Sequence, residues 1–458
     1  MTRVLIIGGG ISGLSTAYHL ARAGLPSTLI ERQPRLGGVI RTETVEGCLL
    51  EAGPDSFLAA KPWALELIRE LGLASEVIGS NDHLRKTYVL KEGRLRALPD
   101  GLMLMVPTRV LPLVTTRLLS WPAKLRMGLE WFRRPLSGPA PDRSVAEFIR
   151  DHYGAEAVDY LAEPLLAGVY GGRPELLSVA SVLPRFLELE ARYGSLTRGV
   201  LAARRKAAAE ARGLPLFQTL KPGLGRLVTT LETAARPALE VLHGFAESIE
   251  PSPAGYRVRV EGAWLDARHV VLACPAYEAA ALLDTLDPQL GRLLTSIPYT
   301  TSITISLGFP KAGFSHPLNG FGFLVPRRER RRLVACTWVN TKFSHRVPGD
   351  KVVLRCFLGD DQDALRESDE ALVAAVREEL RRLMDVAAEP IFTRVARWPR
   401  SMAQYTVGHQ QRLEEIRARL AALPGLHLAG NAYSGIGLPD CIRTGKQAAQ
   451  AVAGSTRA

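Results

Sequence analysis

R-V-L-I-I-G-G-G-I-S-G-L, running from Arg3 to Leu14, decides the fold of this chain. Arg3 to Ile7 is β-branched and apolar without alternation, the pattern of a strand buried on both faces in a parallel sheet. Gly8, Gly9, Gly10, Ile11, Ser12 and Gly13 follow at once and spell G-x-G-x-x-G. Leu14, Ala17, Leu20 and Ala21 then recur at helical spacing, and Gly24 ends the helix. In such a unit Gly8 allows the tight turn, Gly10 lets the backbone approach a pyrophosphate, and Gly13 lets helix and sheet pack closely. The anion would sit at the helix N-terminus, where free N–H groups and the helix dipole favour negative charge. Ser27 to Ile30 reads as a second strand, closed by Glu31 about 20 residues beyond the glycines. A carboxylate there accepts hydrogen bonds from a ribose 2′-hydroxyl and repels a 2′-phosphate. Strand, glycines, helix, strand and acid in that order predict a dinucleotide site; a fortuitous glycine-rich turn would leave Glu31 unexplained.

Arg32 comes next, and then R-L-G-G-V-I-R from Arg35 to Arg41, which contains Gly37, Gly38 and Val39. This R-x-G-G segment resembles the one that follows the acid in the amine-oxidase superfamily of flavoproteins, and NAD dehydrogenases lack it. Adjacent glycines would let backbone amides close over the diphosphate from the opposite side, with Arg41 adding positive charge. Glu51-Ala52-Gly53-Pro54-Asp55-Ser56-Phe57 resembles the next FAD-contacting loop of that superfamily. Near the other end of the chain, Leu426 to Ala429 reads as a strand, and Gly430 to Ile442 as a glycine loop containing Asn431, Ile436, Gly437 and Leu438. Ile442 to Val452 reads as a helix. Strand, loop and helix N-terminus again make a dipole receptor, suited to the pyrimidine edge of a flavin ring. Both chain ends would then complete one sheet. Cys441 reads as a buried small residue opening the helix rather than a covalent anchor, so the FAD is expected to be non-covalent.

Glu163-Pro164-Leu165-Leu166-Ala167-Gly168-Val169-Tyr170-Gly171-Gly172 narrows the reading, together with Ser302 to Phe309, Gly320 to Pro326 and Ala335 to Trp338. Arg397-Trp398-Pro399, Gln404 to His409 and the C-terminal G-N-A-Y-S-G-I-G-L-P-D-C-I-R add to it. In order and nearly end to end, these stretches resemble the bacterial protoporphyrinogen/coproporphyrinogen oxidase family. The resemblance implies oxidation of a porphyrinogen to a porphyrin in haem synthesis, in successive flavin-dependent steps, with oxygen as acceptor and peroxide as product. Taking a hydride from a meso carbon needs an electrophilic flavin face and a rigidly held substrate, and little else from the protein. No catalytic dyad or triad is visible. Of the two substrates, protoporphyrinogen IX is put slightly ahead of coproporphyrinogen III, although the positive charge of the chain favours the tetracarboxylate.

Carried over residue by residue, the resemblance implies that Phe321 meets the tetrapyrrole, with Leu324 and Phe357 along the same cavity. It implies a Gly168 carbonyl near the reacting centre, and Ala246 and Trp398 at the cofactor. Without it, Phe321 and Phe357 read equally well as alternating core positions of antiparallel strands. There is one departure. Where mitochondrial and plant members carry an arginine for a substrate propionate, this chain has Thr87, with Arg85 and Lys86 beside it. The propionate partner therefore stays open between the Thr87 hydroxyl, a neighbouring cation and a site elsewhere. Two rival readings remain: another amine-oxidase-fold enzyme (amine oxidase or carotenoid desaturase), and a non-catalytic carrier resembling Rab GDP-dissociation inhibitors. The middle stretches speak against the first and the flavin loops against the second.

A chain of 458 residues is too long for one core. The expected fold class is α/β. Residues 1–80, 221–282 and 424–458 form a discontinuous Rossmann-like FAD domain, 81–100 with 283–423 an α+β substrate domain, and 101–220 an inserted helical domain. Apolar residues at 47% and charged residues at 23% fit a soluble enzyme and exclude wholesale disorder. Five scattered cysteines without a C-x-x-C pair point to a reducing compartment, and the scattered histidines predict no metal. Met1 leads straight into the first strand pattern, leaving no room for a signal peptide, so a cytoplasmic location is expected. The net charge of +12 comes with no nucleic-acid signature and is assigned to an anionic membrane surface or a polycarboxylate substrate. Between Gly101 and Leu136, leucine, methionine, tryptophan and phenylalanine alternate with six cations, and Pro107, Pro112 and Pro122 forbid one spanning helix. Two or three short amphipathic helices are predicted, lying on the inner face of the cell membrane or else merely covering the substrate cavity. A homodimer is a further expectation, and Arg327 to Arg332 is read as a solvated hairpin turn.

Overall fold

Five short strands form one parallel sheet, in the order Leu239–His243, Ser27–Glu31, Val4–Ile7, His269–Leu272 and Leu426–Leu428. The computed structural model describes residues 4–135, 138, 141–207, 215–359 and 361–457. Val4 pairs with Ser27 on one side and with His269 on the other, and Val270 pairs with Leu426. Val4, Leu5 and Ile6 are completely buried, as the unbroken apolar run requires of a central strand. Three remote stretches of chain thus share one sheet.

The first helix, Ile11–Arg22, and the last, Leu438–Arg457, each follow the carboxyl end of a strand in this parallel sheet, so both begin at the same edge. They also pack on each other. Ser15 Oγ donates to the Ile442 carbonyl at 3.0 Å, and Thr16 Oγ1 to that of Gly445 at 3.1 Å. The last helix starts four residues earlier than the sequence pattern indicated, at Leu438.

A second, seven-stranded sheet runs Phe392–Ala403, Tyr299–Pro310, Lys351–Leu358, Leu333–Trp338, Gly322–Leu324, Thr87–Lys91 and Arg94–Ala97. Directly paired residues share a face, which sorts the side chains. The row Ile305, Cys356, Cys336 and Phe323 packs beneath the helix Asp369–Met384 through Leu372, Val376 and Leu380. The neighbouring row, Thr304, Phe357, Ala335 and Leu324, lies on the opposite face.

After a short ribbon, Leu102–Met103 with Val106–Pro107, the described residues up to Ala207 are mostly helical. Val110–Thr115, Trp121–Leu129 and the single turn Glu130–Phe132 are the short proline-limited helices expected. Val145–Tyr153 opens with a capping box in which Ser144 Oγ accepts from the Glu147 amide and the Glu147 carboxylate accepts from the Ser144 amide. Further on, Ala155–Ala157, a π-helical turn Val158–Ala162 and Glu163–Tyr170 form one continuous rod. The alanine-rich helix expected over 201–212 is the end of Leu196–Ala207, and residues 208–214 lie outside the described ones.

The arginine run is a hairpin turn between two antiparallel strands, as expected, with Arg327, Arg328 and Arg331 exposed, but three of its arginines are ion-paired. Arg328 pairs with Asp159 at 2.9 Å, Arg330 with Glu163 at 2.9 Å and Arg332 with Glu367 at 2.5 Å. Of these pairs, Arg330 with the buried Glu163 of the rod links the helical insert to the broad sheet.

Candidate active site

The first helix has Gly10 as its N-cap and no side-chain cap, so its first-turn amides face outward unsatisfied by any side chain. An added Cβ at Gly10 would meet nothing within 4 Å, whereas one at Gly13 would overlap the Gly8 carbonyl oxygen. Gly13 therefore serves packing, and Gly10 borders open space in which a diphosphate can lie against backbone. Ile11 and Ser12 supply the first turn above it. Glu31 sits alongside, its two carboxylate oxygens accepting from the Gly9 amide at 2.6 Å and the Gln33 amide at 2.8 Å. Each oxygen keeps a lone pair for a ribose hydroxyl.

The R-x-G-G segment lies against this loop. Gly37 N–H donates to the Gly9 carbonyl at 2.8 Å, and a Cβ at Gly38 would lie 3.2 Å from the Gly10 Cα. Arg35 donates to the carbonyls of Leu36, Gly38 and Ile40 and so moulds the loop. Arg41 instead faces Glu43 at 3.7 Å. Val39 is half-exposed above Gly53, where a Cβ would overlap the Val39 carbonyl, and Pro54 follows. Trp398 reaches the same loop, its indole N–H donating to the Ala52 carbonyl at 2.9 Å. Arg32 pairs with Glu278 at 2.8 Å, and Ala246 lies two residues beyond Gly244, whose amide caps the Glu31 carbonyl at 3.0 Å.

Asp55 and Ser56 face away from solvent. Lys342 Nζ donates to both Asp55 oxygens, at 2.8 and 3.0 Å, and to Ser56 Oγ at 3.3 Å. Arg346 donates to the Asp55 carbonyl at 2.9 Å, and Arg355 to that of Gly53. Burial pushes the Asp55 carboxyl up, but Lys342, Arg355 and Arg346 outweigh it and hold it well below the usual carboxylate range. Their side chains bolt the loop to the broad sheet, which leaves backbone atoms as their means of touching a cofactor.

In the first turn of the last helix, Cys441 is a buried thiol that burial pushes up to about 12. Such a thiol is inert at neutral pH, in line with a packing role. Asn431 donates to the Ser401 carbonyl at 2.9 Å, Ile436 packs on the main core, and the Gly437 amide donates to Asp440 at 3.2 Å. Lys61 pairs with that same buried Asp440 at 2.5 Å. Lys61 was invisible in the sequence, being a single cation at the start of a short helix.

Beyond this edge, Gly168 and Leu324 are brought together, since a Cβ on Gly168 would stand 3.4 Å from Leu324 Cδ2. Phe357 shares Leu324's row, with Arg355 over its ring at 4.7 Å. Phe321 is buried just before the strand, donating to the Lys86 carbonyl at 2.8 Å, and Thr87 pairs with Gly322. Arg85 is exposed, and Lys86 lies 5.3 Å over the Tyr88 ring.

The residues fit FAD: open backbone at Gly10, an uncapped helix N-terminus, a ribose-facing acid, and a second loop and helix on the same edge. Fold and site together define a flavin-dependent oxidoreductase. The chain belongs to the flavin containing amine oxidoreductase family, whose model matches residues 11–453. Within it, the chain is 36% identical to coproporphyrinogen III oxidase of Bacillus subtilis (strain 168), over 97% of this chain and 96% of that one. It is 31% identical to coproporphyrinogen III oxidase of Staphylococcus aureus (strain NCTC 8325 / PS 47), over 98% of both chains. A solved structure from Exiguobacterium sp. 255-15, provisionally named protoporphyrinogen oxidase, superposes with a TM-score of 0.89 at 31% identity, covering 99% of each chain.

Proposed function

We propose that this enzyme oxidises coproporphyrinogen III to coproporphyrin III in haem synthesis, with oxygen as the final acceptor. Full-length identity of 36% and 31% to enzymes named for that substrate carries the reading and reverses the order in which the sequence alone put the two porphyrinogens. Bound at the shared sheet edge, FAD would supply two-electron oxidation by accepting hydride from the substrate and passing the electrons to oxygen. Gly168, Leu324, Phe357 and Phe321 would enclose the macrocycle, Thr87 and Arg85 would stand at its rim, and the apolar walls would exclude water. Steady-state oxidation of both porphyrinogens tests the choice. A kcat/KM for coproporphyrinogen III at least tenfold above that for protoporphyrinogen IX is expected; the reverse ratio rejects it.

The domain division at residues 81, 101, 221, 283 and 424 is part of the same proposal, since it sets the flavin edge between a nucleotide unit and a substrate unit. We also infer that the 101–135 stretch rests on an anionic membrane surface from the cytoplasmic side. Val110, Trp121 and Phe132 are 77%, 68% and 76% exposed, close in sequence to Arg109, Lys124 and Arg133. Apolar side chains with cations among them suit a lipid interface. Among the described residues no helix is long and apolar enough to cross a membrane.

A further inference from the structure

The stretch Gln404 to His409 carries no role in the site as described so far, yet it touches both of its halves. It leaves the edge strand Phe392–Ala403 and runs between the C-terminal loop and the end of the Glu163–Tyr170 helix. The Tyr405 hydroxyl donates to the Asn431 carbonyl at 2.7 Å and accepts from the Gly435 amide at 2.7 Å. One phenol thus ties together two points four residues apart in the loop between the sheet and the last helix.

The phenol itself is firmly held. Tyr405 is 3% exposed, and its ring stacks on His409 at 4.1 Å and an interplanar angle of 11°. Burial pushes the phenol far up and lowers the His409 imidazole to about 4, so both rings are neutral near pH 7 and the hydroxyl keeps its proton to donate. The loop has little room to slide sideways, because a Cβ on Gly435 would overlap the Asp440 carboxylate. On the same strand end, Gln404 Nε2 donates to the Tyr170 carbonyl at 2.7 Å and to Thr300 Oγ1 at 3.0 Å. That fixes the helix end two residues beyond Gly168.

We propose that Tyr405 is a positioning residue for the flavin, its hydroxyl setting the loop that receives the pyrimidine edge, while Gln404 registers the Gly168 helix against it. Pre-set donors and acceptors bind one redox form of a cofactor better than the other, so the loop's height and tilt tune affinity and reduction potential together. The proposal rests on the reading that this loop takes the flavin, and it does not require porphyrinogen to be the substrate.

Tyr405→Phe keeps the ring and its stack and deletes only the hydroxyl. FAD is expected to bind the variant about tenfold more weakly, the order of loss for a buried hydrogen-bonding group left unpaired. The midpoint potential of the bound flavin, measured by dye-coupled reduction with no porphyrinogen present, is expected to shift. Gln404→Leu is expected to leave FAD affinity within about twofold and to lower kcat/KM instead. Unchanged affinity and potential in Tyr405→Phe overturn the proposal, whatever substrate the enzyme oxidises. Should that variant not fold, amide exchange in the wild-type chain decides: protection of the Gly435 N–H in both FAD-free and FAD-loaded protein is expected, and free exchange without FAD overturns it.

Discussion

Glu31 holds two backbone amides and keeps lone pairs free, which on the proposed reading a ribose would take. Replacing it with alanine should weaken FAD binding by about 1.5–3 kcal/mol, the worth of hydrogen bonds to a charged group. A titration of FAD-free protein by flavin fluorescence measures this. Asp55 is the opposite case, a carboxylate held by Lys342 and faced by Arg355 at 3.7 Å, with Arg346 on its backbone carbonyl. Asp55→Ala leaves the buried Lys342 ammonium without its carboxylate, whereas Arg346 keeps Glu51, and about 3–5 kcal/mol of stability should vanish in urea unfolding of the FAD-free chain. Gly168 sits in ordinary contact distance of Leu324. Gly168→Ala should change kcat/KM little, whereas Gly168→Leu should cut it at least tenfold at full FAD occupancy if this space takes the substrate, as proposed. The packing of Gly13 against Gly8 was legible, because the motif assigns that position its job. Single residues were illegible where a job depends on a partner hundreds of residues away. Arg35 and Arg41 look alike in sequence, and only the folded loop tells which one takes the carbonyls.

At the scale of elements, the helical insert is held by a charged core that no local pattern revealed. His152 is completely buried, with Nδ1 on Glu130 at 3.0 Å and Nε2 on Glu190 at 3.0 Å, and Arg143 also reaches Glu190 at 2.7 Å. Burial raises both carboxyls, but hydrogen bonds from His152 and its neighbours outweigh it, so both lie below the usual carboxylate range. A depressed carboxyl adds stability that is fully present above its unfolded value, about 4.3, and is lost as pH falls through the folded value. The insert should therefore loosen first on acidification below that range. Tryptophan fluorescence of Trp121 and Trp131 should move before the flavin site opens, and simultaneous transitions would refute the assignment. Glu130 leads directly into Trp131 and exposed Phe132. Trp121→Ser with Phe132→Ser should abolish co-sedimentation with anionic vesicles at low salt while leaving FAD content intact. Undiminished sedimentation would remove this face from the membrane. The short helices themselves could be read in advance from their prolines. The pairing of Arg330 with buried Glu163 could not, because a charge run reads as solvated until its carboxylate arrives from elsewhere in the chain.

Across the whole molecule, a strand pattern at each end of the sequence foretold that the termini would share one sheet, since each carried its own strand, glycine loop and helix. The parallel pairing of Val4 with His269 and of Val270 with Leu426 places both helix starts on one edge. The substrate side was less readable. Antiparallel register sets which of two alternating faces Phe357 and Leu324 occupy, and a slip of one residue would exchange them. Porphyrinogen oxidation requires electrons to pass from the substrate to a flavin held at that common edge. Anaerobic mixing of the purified, FAD-loaded enzyme with coproporphyrinogen III should bleach the yellow flavin absorbance as porphyrin forms, and admitted air should restore it. Yellow colour that persists through anaerobic mixing with both coproporphyrinogen III and protoporphyrinogen IX would contradict that activity.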